Sequence, residues 1–382
     1  MAVKITGSTG GWNCDFPRRQ YMSPLFSAIL LLLGLCLANA INFTTVYEWD
    51  KYDFVWPSGV NTSNEQIKWN VYFEYMAVFE ERLFLSLEPF RGIPATLVWF
   101  PISGTSTAPP KLAPFPSWEL HKKDNCDSIQ AAKGMETDRD GRLWVLDQGS
   151  RNCSSKIWIF NLLNNDTTVR VHQFPDAVVS PSFDKRSLRD IVLDKTPDDN
   201  LAYLVDSKSE NIIVYSRKTN KSWLVKTPGR KWVSLALSPI REERQLYLGK
   251  SGYKELYSAS VTDCELKNEG RSAAVKLIGE WSYQPYRMLI DSSNVLYAAF
   301  FNQNYLCKWN ISEPFREQRI HEVGEQDTDW PFTFALDTNG IFWMTERNDT
   351  GDWTKPRHKL LMAAVGARSY QFGTSTDLSL RG

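Results

Sequence analysis

Six times along the chain a turn leads into an apolar run centred on an aromatic residue, and repetition of this kind constrains the fold more than any other feature. The copies read FEERLFLSLE from 79, DRDGRLWVLD from 138, DKTPDDNLAYLVD from 194, REERQLYLGK from 241, DSSNVLYAAF from 291 and DTNGIFWMTE from 337. Their pivots are Phe84, Trp144, Tyr203, Tyr247, Tyr297 and Trp343, separated by 60, 59, 44, 50 and 46 residues. Short apolar segments such as YMAVF, IVLD, VSLALS, YRMLID and FTFALD precede the copies. A third segment follows each, for example TLVWFP, KIWIFNL, NIIVYS and HKLLMAA, and fourth segments include TVRVHQF, KSWLVKT, AVKLIGEW and EQRIHEV. Length, β-branched and aromatic content, and bounding turn residues make these strands. Four strands in each of six units predict an all-β chain, a six-bladed β-propeller.

A blade packed on both faces by its neighbours explains why LWVL and LAYLV are continuous apolar runs rather than alternating ones. In DRDG and DTNG the Asp and Gly then serve the tight turn between first and second strands, since Asp bonds nearby backbone and Gly tolerates positive φ. A calcium loop needs oxygen ligands at alternate positions and a later Glu, a spacing DRDGRLWVLDQG lacks. The last unit offers three strands, and FTTVYEW, residues 43–49, is spare, so this segment is expected to complete the final blade and close the ring. The two long spacings place inserts at about 102–132 and 163–187.

Residues 25–37, LFSAILLLLGLCL, are too short to span a bilayer, and ANA at 38–40 suits a signal peptidase. The expected organisation is a signal peptide over 1–40, with Met22 as an alternative start, a propeller over 41–368 and a tail over 369–382. The chain carries 44 basic and 44 acidic residues, and the leader removes Lys4, Arg18, Arg19 and Asp15, leaving 41 against 43. That balance excludes the electrostatic footprint of a nucleic-acid binder, and after cleavage no membrane partner is expected. Cys14 and Cys36 leave with the leader, while Cys126, Cys153, Cys264 and Cys307 remain for an oxidising compartment. Of the three pairings open to them, short loops favour Cys126 with Cys153 and Cys264 with Cys307, each contributing roughly 3–4 kcal/mol. Seven Asn-x-Ser/Thr sequons, at Asn42, Asn61, Asn152, Asn165, Asn220, Asn310 and Asn348, exceed the roughly three expected by chance and predict a secreted glycoprotein.

Motifs for catalysis are absent: there is no G-x-S-x-G elbow, no HExxH and no CxxC, and GKS at 249–251 lacks the upstream glycine of a phosphate loop. His121, His172, His321 and His358 fall in loops or outer strands, away from any triad. No cofactor is expected. Fifteen tryptophans suit a propeller core before they suit ligand stacking. Propeller geometry puts a site at the channel mouth, where the innermost strands begin. Residues near those starts are Lys133, Asp190, Trp232, Arg287, Phe332 and Thr333, with Arg347 on the neighbouring loop. Asp190 among Arg287 and Arg347 can grip a zwitterionic or phenolic ligand, or can equally form a structural ion pair lining a wet channel.

The series GIPATLVWFP (92–101), PFPSWELHKKDNCDSI (114–129), GRLWVLDQG (141–149), the IVLD, AYLVDS, IIVYS and SW segments of 191–223, and WPFTFALDTNGIFW (330–343) resembles the yellow/major royal jelly protein family. The resemblance implies a secreted six-bladed propeller and roles among cuticle pigmentation, melanin chemistry, dopachrome conversion, nutrition and amine binding. Amine-binding members carry a Thr, an Asn and an aromatic where this chain has Phe332, Arg347 and Asp349, so serotonin-type binding by the same residues is not carried over. The leading expectation is a non-enzymatic ligand-binding or pigmentation protein with a small aromatic or amine partner. A dopachrome-type isomerase using Asp190, and a metal-dependent lactonase-like propeller, stand as alternatives.

Overall fold

The computed structural model describes Met1 and residues 41–59, 71–89, 93–102, 108–240, 244–261, 266, 269–322, 329–348 and 358–372, the side chains at 329–332 and 348 excepted. Residues 2–40, the expected leader, and most of the expected tail lie outside this set. The architecture is six four-stranded antiparallel sheets in a ring, each strand pairing with its successor, as the repeat requires. The first blade holds β2 (Phe73–Phe79), β3 (Arg82–Leu87), β4 (Leu97–Pro101) and β5 (Ala113–Pro114). The second holds β6 (Ala132–Thr137), β7 (Arg142–Asp147), β8 (Lys156–Asn161) and β9 (Thr167–Gln173). The third holds β10 (Leu188–Lys195), β11 (Asn200–Asp206), β12 (Asn211–Ser216) and β13 (Lys221–Lys226). The fourth holds β14 (Trp232–Leu237), β15 (Gln245–Lys250), β16 (Glu255–Ser260) and β17 (Lys276–Glu280). The fifth holds β18 (Pro285–Ile290), β19 (Val295–Phe300), β20 (Tyr305–Asn310) and β21 (Gln318–Glu322). In the sixth, β22 (Asp329–Leu336), β23 (Ile341–Asn348) and β24 (His358–Ala364) are completed by β1 (Thr44–Trp49), paired from Thr44 against Met362 to Trp49 against His358. Both inserts contain a fourth strand. The first carries the two-residue β5, and the second begins with β9 before looping back to β10.

Alternate residues of each strand face alternate neighbours. In β11, Leu201, Tyr203 and Val205 join the core shared with the fourth blade, while Ala202 and Leu204 join the core shared with the second. No face is left for solvent, so the strand reads as an unbroken apolar run. The Asp-headed turns have a further anchor. Asp138 Oδ1 accepts the N–H of Asp140 at 2.9 Å and of Arg142 at 3.0 Å, and its Oδ2 accepts the Trp144 indole N–H at 2.8 Å. Asp337 repeats this with Asn339, Ile341 and Trp343, and Asp291 with Ser293, Val295 and the Tyr297 hydroxyl. The carboxylate that closes the turn therefore also satisfies the buried aromatic pivot six residues on. Gly141, at φ 74°, supplies the left-handed residue of the first of these turns.

Cys126 and Cys153 are joined, which ties the first insert to the β7–β8 loop. The second expected bridge is corrected: Cys307 is a free thiol, enclosed in β20 and donating to Glu317 Oε1 at 3.2 Å, and Cys264 lies outside the described residues. Burial and the nearby Glu317 carboxylate push this thiol well up, so it stays protonated. Of the sequon asparagines, Asn42, Asn152 and Asn165 are exposed, and Asn220 and Asn310 are half-buried. Asn61 and the side chain of Asn348 lie outside the described set.

Candidate functional site

All six innermost strands lose register with their partners near their first residues: Phe73/Tyr75, Ala132/Met135, Leu188/Ile191, Trp232/Ser234, Pro285/Arg287 and Pro331/Thr333. A bulge inserts residues without a partner and re-aims side chains. The positions passed over are Glu74, Lys133 with Gly134, Arg189 with Asp190, Val233, Tyr286 and Phe332. Of these, Glu74, Arg189, Val233 and Tyr286 line the channel entrance. At Gly134 a Cβ would lie 2.7 Å from Arg189 O, so only glycine lets β6 approach β10 this closely.

A cavity of about 430 Å3 occupies the entrance, lined by Glu74, Tyr75, Arg189, Val233 and Tyr286 of the inner strands, and by Glu88, Ser207, Ser251, Phe301 and Asn302 of the loops. That volume is in the range of small-molecule sites. Lys133 Nζ is bound to Glu74 Oε2, with both side chains more than nine-tenths buried. Arg189 approaches the same carboxylate only at 4.0 Å. Glu88 makes no ion pair among the described residues; burial and the neighbouring Glu74 raise its pKa, while Lys133, Arg189 and Arg347 pull it back. The Tyr75 phenol, desolvated and close to Asp190, is held protonated far above its ordinary value. A second cleft, of about 690 Å3, shares Glu88 with the first and is walled by Lys133, Ile93, His121 and the disulfide-tied loop.

One residue deeper, Arg287 Nη1 donates to Asp190 Oδ1 at 2.6 Å, and Asp190 also accepts the N–H groups of Ile191 at 3.1 Å and Leu235 at 3.0 Å. Asp190 is fully buried. Burial pushes its carboxyl up, and Arg287 and the two amides draw it back. The Arg287 guanidinium lies 5.3 Å from the Tyr75 ring. Beyond this pair the channel holds a small cavity of about 50 Å3, lined in part by Tyr370 and Phe372.

The expected site residues separate into groups. Asp190 and Arg287 are together, as an ion pair beneath the entrance rather than in its wall. Lys133 reaches the entrance through Glu74. Trp232 is displaced from the mouth: its fully buried indole belongs to the core between third and fourth blades and donates to Thr227 Oγ1 at 2.8 Å. Thr333 is fully buried, its N–H on Thr345 Oγ1 at 3.3 Å. Arg347 is buried with its guanidinium 3.3 Å from the Tyr72 ring centroid. The side chain of Phe332 lies outside the described residues. Glu74, Glu88, Arg189 and Tyr286 were not expected. Counting from strand starts misses Glu74, Arg189 and Tyr286, because a bulge shifts the inward face by one residue, and it misses Glu88 because that residue follows β3 in a loop.

Among the described residues no three His, Cys, Asp or Glu side chains are grouped to hold a metal ion, and no helix is long and apolar enough to cross a membrane. The family model described as major royal jelly protein matches residues 130–232 and 229–350, together more than half of the chain. "Protein yellow" of Drosophila subobscura is 27% identical over 84% of the chain and 64% of that protein, and that of Drosophila melanogaster 27% over 78% and 63%. The chain thus spans somewhat less than two thirds of the relatives it matches. Among solved structures, a gluconolactonase of Xanthomonas campestris superposes with a TM-score of 0.53 at 11% identity, covering 86% of this chain and 92% of that one. A luciferin-regenerating enzyme gives 0.52 at 12%, over 80% and 95%. At such identities the likeness is one of fold.

Proposed function

The chain belongs to the major royal jelly protein family, and from that premise we propose that it is a secreted, glycosylated propeller that binds a small aromatic or catechol-derived ligand at its channel mouth, in the service of pigmentation chemistry, without catalysing a reaction. The observation that carries this reading is Glu88, a carboxylate with no ion-pair partner among the described residues, beside the Tyr75, Tyr286 and Phe301 rings in one cavity. A protonated amine placed there gains a charge-assisted bond in a partly desolvated setting, and its ring gains aromatic contact. The Cys126–Cys153 bridge and the exposed sequons at Asn42, Asn152 and Asn165 support an oxidising, extracellular setting.

Calorimetric titration with dopamine, dopa and serotonin tests the proposal. Binding of at least one is expected, with Glu88→Gln weakening it about tenfold or more, the scale of a charge-assisted bond. Silence from all three ends the reading. Proton transfer by Asp190 gains no support, since that carboxylate is sealed against Arg287 and lines neither the entrance nor the far cavity.

A further inference from the structure

This inference rests on the mouth cavity being the ligand site and specifies what that ligand carries. Glu74, Glu88 and Arg189 line the cavity, and Lys133 reaches Glu74 from the adjoining blade. Lys133 and Glu74 are buried against each other, so their charges are spent internally. One carboxylate and one guanidinium remain. Glu88 has no ion-pair partner among the described residues. Arg189, with 40% of its side chain exposed, meets among the described residues only the 4.0 Å contact to Glu74, and its Nε is buried with no hydrogen-bond partner among them.

Two charges of opposite sign in one cavity, neither in a close ion pair among the described residues, discriminate by charge pattern. A bare amine satisfies Glu88 but leaves the guanidinium with its 4.0 Å contact to Glu74, and a bare acid leaves Glu88 without a close cation. A molecule with both groups answers both, and the planar fork of Arg suits a carboxylate. We infer that the mouth selects a zwitterionic aromatic α-amino acid over the amine or the acid of the same ring, its ammonium on Glu88, its carboxylate on Arg189 and its ring beside Tyr286 and Phe301. Arg189 is then the residue that sets specificity. Its place in the β10 bulge fixes the guanidinium at the entrance, one residue above the Asp190–Arg287 pair.

Calorimetry on the full chain with tyrosine, tyramine and 3-(4-hydroxyphenyl)propionate needs no variant, because the three share one ring and differ only in charge. Tyrosine is expected to bind about tenfold or more tightly than either, the size of one charge-assisted contact. Arg189→Gln brings tyrosine to the level of tyramine and leaves tyramine unweakened, while Arg189→Lys keeps part of the preference. Tyramine binding as tightly as tyrosine overturns this inference and leaves the ligand site standing. No binding by any of these or by the catechols removes the site and the inference together.

Discussion

Two half-buried titratable side chains with opposite pKa displacements set how stability answers to pH. Glu136 is desolvated on β6, and its carboxyl is pushed up to about 7 even though Tyr370, Gln371, Arg287 and the Leu193 N–H all favour the charged form. His121, which donates from Nε2 to Phe115 O at 2.9 Å, is pushed down by burial to about 4. Above about 4.5 an unfolded Glu has released its proton while the folded one keeps it to about 7, so stability falls as pH rises through that window. For His121 the unfolded imidazole takes a proton below about 6.5 and the folded one only below about 4, so stability falls as pH drops. Each effect is on the order of 3 kcal/mol when complete, and between about pH 4.5 and 6.5 they oppose each other. Calorimetric melting from pH 4.5 to 8 is therefore expected to show a flatter profile for the native chain than for either variant. Glu136→Gln should gain stability as pH rises to about 6.5, and His121→Gln should lose it up to about 7. Parallel slopes for the two variants would mean that these side chains do not titrate as their surroundings dictate.

The repeat was legible at the level of elements because a propeller strand must be apolar on both faces, and nothing else in the chain produces six such runs at this spacing. What escaped was whatever depends on pairing rather than pattern. β5 is two residues long and Pro-containing, with little propensity to announce it, and is defined by Val98 and Trp99 of β4 opposite it. The bulges escaped for the same reason: no residue type marks them, yet each one exchanges the inward side chain. Asp190, Arg287 and Lys133 were named because charge at a strand start is visible in sequence, whereas Arg189 and Tyr286, which line the entrance cavity, were passed over as their outward neighbours. The Asp turn was legible as a turn, and its second bond to the pivot was not. That bond gives a prediction. Asp138→Ala leaves the Trp144 indole N–H buried without an acceptor and frees two turn amides, a loss of about 3 kcal/mol in urea unfolding. Asp138→Asn keeps an oxygen for the amides and recovers about half, while Tyr297→Phe, which removes a single hydroxyl from Asp291, costs about 1 kcal/mol. Equal losses for all three would break the link between turn and pivot.

A ring of blades is only as stable as its closure, and this ring is closed at two levels. The expected one is β1 on β24, strengthened because Trp49 is buried against Phe73 and Phe100 of the first blade, at 5.9 and 5.5 Å between rings, so one strand joins the last sheet and packs on the next. The second comes from residues read in sequence as a tail. After β24 the chain crosses the far end of the channel: Arg368 O accepts the Ser292 N–H at 2.8 Å, and Tyr370 N–H donates to Ile290 O at 3.2 Å in the fifth blade. The Tyr370 hydroxyl then donates to Glu136 Oε2 at 2.7 Å in the second blade, and Gln371 Nε2 to Thr137 O at 2.8 Å. A segment anchored on opposite sides of the ring resists the blades spreading. Tyr370→Phe removes only the hydroxyl bonds and should cost about 1–2 kcal/mol. Tyr370→Ala also empties the space filled by the ring and should cost about 3–5 kcal/mol. Neither change reaches the mouth, because the Asp190–Arg287 pair lies between. Tyrosine affinity in the same calorimetric titration should therefore stay within about twofold of the native chain. A mouth that lost its ligand along with Tyr370 would show the two ends of the channel to be coupled through that ion pair.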